Sequence, residues 1–162
     1  MLKHHMQRLI LGMILALATQ LCFAKPAQDS LPTIHAYMAA WNDHDAEKAA
    51  SFFAEDGEFL DSSVGTPQKG RDAARDNVIK VFMTAVPDLR WQLVGTPVVQ
   101  GDSVAFEWQF DGKNTGPWST ELPATNKPLK FNGVSLIRLK DGKIVSQHDY
   151  YDALGFNRQL GW

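Results

Sequence analysis

Residues 129–151 read LKFNGVSLIRLKDGKIVSQHDYY. Apolar and polar side chains alternate from Leu129 to Leu139, and a second strand-like run, Lys143 to Tyr151, follows Asp141-Gly142. Period-two alternation puts successive side chains on opposite faces of a strand. Asp-Gly between two such runs is a strong hairpin signal, because both turn positions need positive φ. The pattern repeats upstream, where Leu89–Gln100 and Ser103–Asp111 are expected as strands joined at Gly101-Asp102. The carboxyl-terminal half therefore reads as a meander of antiparallel strands.

The amino-terminal half has helical periodicity instead. After Ser30, placed as an N-cap, Leu31, Ile34, Tyr37, Met38 and Trp41 recur at offsets of three, four and seven, which is one face of an amphipathic helix. Asn42-Asp43-His44-Asp45 breaks that helix, and Asp45 is placed to cap a short second one through Ala46–Phe53. Glu58–Asp61 is a brief strand, followed by a polar loop to Gly70. A third helix sets Ala74, Asn77, Val78, Val81, Phe82 and Ala85 along one stripe and stops at Pro87. Three helices followed by antiparallel strands is an α+β plan, with a bent sheet wrapped around the first and third helices to leave a blind pocket.

The chain has 162 residues with ordinary apolar and charged fractions, so one domain is expected. Lys3 and Arg8 precede an almost unbroken apolar run, Leu9–Leu21, and Cys22-Phe23-Ala24 ends on a small residue before Lys25. That is the three-part pattern of a secretory signal peptide. The run is shorter than the roughly 20 residues a spanning helix needs, so no stable membrane anchor is expected once it is cleaved. The expected organisation is a leader at 1–24, a short polar lead at 25–29 and a single domain at 30–162, exported to the periplasm or beyond. Cleavage removes two of the 16 basic residues and none of the 18 acidic ones, leaving 14 − 18, a net charge of about −4. Cys22 is the only cysteine, so the mature chain needs no disulfide. Nothing is basic enough to argue for nucleic acid.

The residues that could carry chemistry are few. His35, His44 and His148 are scattered without metal-ligand spacing, and there is no Gly-rich phosphate loop or Gly-x-Ser-x-Gly elbow. Carboxylates remain as acid/base candidates. Asp61 closes the first strand, where it serves either a turn or a site, and Glu107, between Phe106 and Trp108, reads as an outward residue. In the last strand Val145, Gln147, Asp149 and Tyr151 share one face, and Ser146, His148, Tyr150 and Asp152 the other. Both sets are polar, so periodicity leaves open which one is inside. An inward Asp149 would be desolvated and a stronger base once ionised, while an outward one is only a surface charge. Asn77 and Trp41, on the inner stripes of two helices, either donate hydrogen bonds to a developing oxyanion or serve as a satisfied amide and plain core.

Several stretches together resemble a known family: AWNDHD at 40–45, PDL at 87–89, TGP and PAT within 115–125, GVSLIRLKDGKI at 133–144 and RQLG at 158–161. They are similar to the SnoaL-like polyketide cyclases, within the nuclear transport factor 2-like superfamily that also includes ketosteroid isomerase. The resemblance implies a cone of curved antiparallel sheet closed by three N-terminal helices around an apolar cavity, often as a homodimer. It also implies cofactor-free ring closure by intramolecular aldol condensation, with an aspartate shortly after the Asp-Gly-Lys-Ile turn as acid/base. The matching residue is Asp149, which turns that face inward. Asp149 and Asn77 are then the expected catalytic pair, and Trp41, Tyr37, Phe82, Ser135, Gln147 and Tyr151 the expected substrate contacts. The expected partner is a small apolar carbonyl compound, with a non-catalytic periplasmic binding module for such a ligand as the alternative.

Overall fold

A computed structural model describes residues 30–162; the expected leader and polar lead lie outside the described residues. Six strands form one sheet: β1 (Phe53–Asp61), β2 (Gln68–Lys69), β3 (Arg90–Gln100), β4 (Ser103–Lys113), β5 (Pro128–Lys140) and β6 (Lys143–Tyr151). Their order is β2-β1-β6-β5-β4-β3. From β6 to β3 the sheet is the expected antiparallel meander. Its turns follow the local chemistry, since Asp141 and Gly142 both have positive φ, as does Gly101. The sheet is nevertheless mixed, because β1 runs parallel to β6. β1 is also longer than the expected Glu58–Asp61, with an irregular register between Phe53 and Glu58.

Helix α1 (Ser30–Asn42) buries Ile34, Tyr37, Met38 and Trp41, as its periodicity requires. Tyr37 and Trp41 pack edge-on against Trp91 of β3, with ring centroids 5.7 and 5.6 Å apart. Asn42 then ties the helix end to the sheet: its Oδ1 accepts from Trp91 N at 2.8 Å, and its Nδ2 donates to Trp91 O at 2.9 Å. Helix α2 (Ala46–Ser51) starts at Asp45, whose side chain accepts from Lys48 N at 2.9 Å. It ends two residues before the expected Phe53, which β1 takes up.

The expected third helix is present but not uniform. It consists of α3 (Arg71–Ala74), a π segment (Arg75–Ile79) and α4 (Lys80–Ala85). The i→i+5 bonding of a π turn adds a residue to that turn, so the buried face returns late. Ala74, Val78, Ile79 and Ala85 are buried, while Asn77 is rotated out to the surface. On the outer side, Arg75 pairs with Asp72, Asp76 and Glu47, and Lys80 with Asp76 and Glu47. The last ten residues, expected to close the edge of the cone, include helix α5 (Ala153–Leu160), capped by Asp152 through Gly155 N and stopped by left-handed Gly161. Phe156 and Leu160 bury its inner side.

Candidate functional site: a carboxylate at an aromatic cavity

Asp149 lies on the inner face of β6, flanked by Asp61 across the parallel pairing with β1 and by Ser135 across the antiparallel pairing with β5. Ser135 Oγ donates to Asp149 Oδ1 at 2.6 Å. Gln147, two residues earlier on the same face and fully buried, donates from Nε2 to Oδ1 and Oδ2 at 3.1 and 3.0 Å. Trp108 Nε1 donates to Ser135 Oγ at 2.9 Å, which turns the hydroxyl proton toward the carboxylate. Oδ1 thus takes two bonds and Oδ2 only one, leaving Oδ2 with free acceptor capacity.

A glycine makes this arrangement possible. Gly133 pairs with Trp108 across the sheet, and a Cβ at position 133 would sit 2.3 Å from Trp108 Cζ2. Without a side chain there, the indole sits against position 133 and its N–H reaches Ser135.

Asp149 retains some accessible surface, and it lines a cavity of about 40 Å³. Trp41, Phe59, Phe82, Trp91, Trp108 and Tyr151 form most of the remaining wall, with Asp61 beside them. Burial against these rings pushes the Asp149 carboxyl up from its ordinary 3.8 to about 7. The hydrogen bonds from Ser135 and Gln147 pull the other way, and the charge of Asp61 adds to the rise.

Asp61 closes a turn and also lines the cavity. Its Oδ1 accepts from Ser63 N and Oγ, closing the turn after β1, and its Oδ2 accepts from Tyr151 Oη at 2.9 Å. Ser63 Oγ and Tyr151 Oη also touch. Burial, then the Asp61 charge, raises the Tyr151 phenol far above its ordinary value, so it stays protonated.

The structure brings Trp41, Phe82, Tyr151 and Asp149 together on one wall, with Ser135 and Gln147 behind Asp149. Tyr37 is fully buried one layer deeper, next to Trp41 and Gln147, and burial together with the Asp149 charge raises its phenol well above the ordinary value. The Tyr37 hydroxyl, Trp41 Nε1 and Gln147 Oε1 are buried and make no well-formed hydrogen bond among the described residues. Asn77 does not join this group. The π turn carries it to a separate, outer chamber, where its Nδ2 donates to Gln68 Oε1 at 2.7 Å. His148 lies on the other face, 3.4 Å from Glu58.

Sequence reading did not single out Trp108 or weight Asp61 as part of the site. The alternation of Phe106, Trp108 and Phe110 was a signal for the first. The second depends on the parallel β1–β6 pairing, between strands about 90 residues apart in sequence, which no local pattern encodes.

A curved sheet wrapped on helices around a carboxylate-bearing aromatic cavity defines a protein of the ketosteroid isomerase-like architecture. The sequence profile of the SnoaL-like polyketide cyclases matches residues 33–160, and the chain belongs to that family. Similar folds include a candidate SnoaL-like polyketide cyclase from Jannaschia sp. CCS1, with TM-score 0.72 and 16% identity over 83% of this chain and 94% of the other. IdmH from Streptomyces antibioticus, a candidate polyketide cyclase, has TM-score 0.68 and 23% identity over 83% and 100%. A hypothetical protein with ketosteroid isomerase-like fold from Catenulispora acidiphila DSM 44928, in complex with trimethylamine, has TM-score 0.66 and 22% identity over 80% and 92%. Comparison with curated proteins finds no match.

Proposed function

We propose that the protein transfers a proton at the carbon next to a carbonyl in a small, uncharged, apolar substrate, leading to isomerisation or aldol-type ring closure. The observation that carries this reading is Asp149, held by Ser135 and Gln147 at the edge of an aromatic cavity with Oδ2 still able to accept a proton. A carboxyl raised to about 7 is present in both protonation states at neutral pH, which suits a group that must take a proton and return it.

In this reading Asp149 Oδ2 takes the α-proton. The C–H electron pair becomes the enolate double bond, and the carbonyl π pair moves onto oxygen. Trp41 Nε1, which neighbours the Tyr37 hydroxyl but makes no well-formed hydrogen bond among the described residues, donates to that oxygen. Isomerisation ends when Asp149 returns its proton to carbon. Ring closure ends when the enolate carbon bonds to a second carbonyl and Asp149 protonates the resulting alkoxide. Of the two expected oxyanion donors, Trp41 lines the cavity with Asp149, and Asn77 lines the outer chamber.

The experiment is deuterium exchange into a 1,3-diketone, followed by NMR. Asp149→Asn should reduce exchange to the buffer rate while the protein stays folded, and unchanged exchange would sink the mechanism. Retention of an unmodified ligand, without exchange, would favour the binding-module reading, and the trimethylamine complex of a relative supports small-ligand binding by this fold.

Export through residues 1–24 is part of the same proposal, since an exported enzyme would meet its substrate outside the cytoplasm; the mass of protein recovered from the periplasm should start at Lys25. A homodimer is supported by the exposed Val98, Leu136 and Tyr150 on the outer sheet face, and light scattering of the purified domain tests it.

A further inference from the structure

The site consists of two unequal spaces, and their shape and charge restrict the substrate of the acid/base reading above, on which this inference rests. The inner cavity, about 40 Å³, has room for more than one water, which needs roughly 10–15 Å³ on the same measure, and suits a group of a few heavy atoms. An outer chamber of about 240 Å³ adjoins it. Asp61, Val78, Phe82 and Tyr151 line both and so form the neck between them.

The outer chamber is built by parts of the chain that the inner cavity does not use. Trp118, from the long β4–β5 connection, meets Phe156 of α5 and Trp162 edge-on, with centroids 5.4 and 6.3 Å from its own. These rings offer a wall for a flat apolar group. Apart from Asp61 at the neck, its polar rim consists of neutral side chains such as Gln68, Asn77 and Asn157.

The charge inventory is one-sided. Among the described residues, Asp61 and Asp149 are the carboxylates that line the two spaces, and no Lys, Arg or His lines either one. An anionic group drawn through the neck would pass Asp61 and approach Asp149 with no countercharge, and such a like-charge contact disfavours the wrong ligand.

We propose that the substrate is an uncharged two-part molecule. A compact dicarbonyl head of a few heavy atoms enters the inner cavity, and a body of about one ring stays outside the neck against Trp118, Phe156 and Trp162. Carboxylate- and phosphate-bearing compounds are excluded.

The test compares deuterium exchange into three compounds by the full mature protein: pentane-2,4-dione, 1-phenylbutane-1,3-dione and the anion 2,4-dioxo-4-phenylbutanoate. Burial of the phenyl ring should raise kcat/KM for the phenyl diketone about tenfold over pentanedione. The carboxylate should lower it by at least about tenfold relative to the phenyl diketone. Trp118→Ala should bring the phenyl-to-pentanedione ratio close to one, and because both rates come from one protein sample, partial unfolding does not alter that ratio. Exchange of pentanedione without a phenyl preference, an anion that reacts as fast as its neutral analogue, or an unchanged ratio in Trp118→Ala would each overturn this inference and leave the role of Asp149 standing. Absence of catalysed exchange with all three compounds would overturn both.

Discussion

Replacing Asp149 by Asn should make the protein more stable at alkaline pH than at acid pH, relative to the wild type, while removing the proposed activity. The folded-state carboxyl titrates at about 7 against an ordinary 3.8, so between those values the native state holds a proton that the unfolded chain has lost. The stability contributed by the neutral, buried carboxyl is fully present below the unfolded value and is lost as pH rises through about 7. A gap of about three pH units at 1.36 kcal/mol each gives at most about 4 kcal/mol over the whole range, of which about 3 kcal/mol falls between pH 5 and pH 8. Asn cannot ionise and does not suffer this loss. Its amide would face the Gln147 NH₂, a mismatch of about 1 kcal/mol that does not depend on pH and that a flip of Gln147, whose Oε1 makes no well-formed hydrogen bond among the described residues, would relieve. Urea unfolding of both proteins at unit steps from pH 5 to 8 gives the stability difference directly. A difference that stays constant over that range would refute the placement of a desolvated carboxylate at this cavity, whatever its catalytic role.

Two further substitutions examine the support behind Asp149. Ser135→Ala removes the 2.6 Å bond that opposes desolvation and leaves Trp108 Nε1 without an acceptor; ¹³C NMR titration should place the Asp149 carboxyl above about 7, and unfolding should show a loss of about 1–3 kcal/mol. Gly133→Ala drives a methyl group into the Trp108 ring, so it should cost about 1–3 kcal/mol and shift the tryptophan fluorescence, and a neutral effect on both would contradict the packing described for the indole.

The hairpins, the face of α1 and the Asp45 cap were legible because each depends on residues close in sequence: an Asp-Gly turn, a three-four-seven repeat, a carboxylate three residues before an amide. The inward direction of Asp149 was not legible from β6 itself. Both faces of Val145–Asp152 carry polar groups, and the family resemblance, rather than periodicity, chose between them. Asn77 shows the opposite problem. Its stripe was regular in sequence, yet one π turn moved it from the pocket wall to the rim of the outer chamber.

The sequence by itself determined the α+β class and the antiparallel meander, because local turn chemistry and hydrophobic periodicity act over a few residues, and its motifs carried the resemblance to the family. Only the tertiary structure decided what the side chains of the site do together. The parallel β1–β6 pairing sets Asp61 beside Asp149, and Gly133 lets Trp108 reach Ser135. Burial among the surrounding rings then raises the carboxyl to about 7. A desolvated charge is a property of its surroundings, and those surroundings come from strands and helices that meet only in the folded chain.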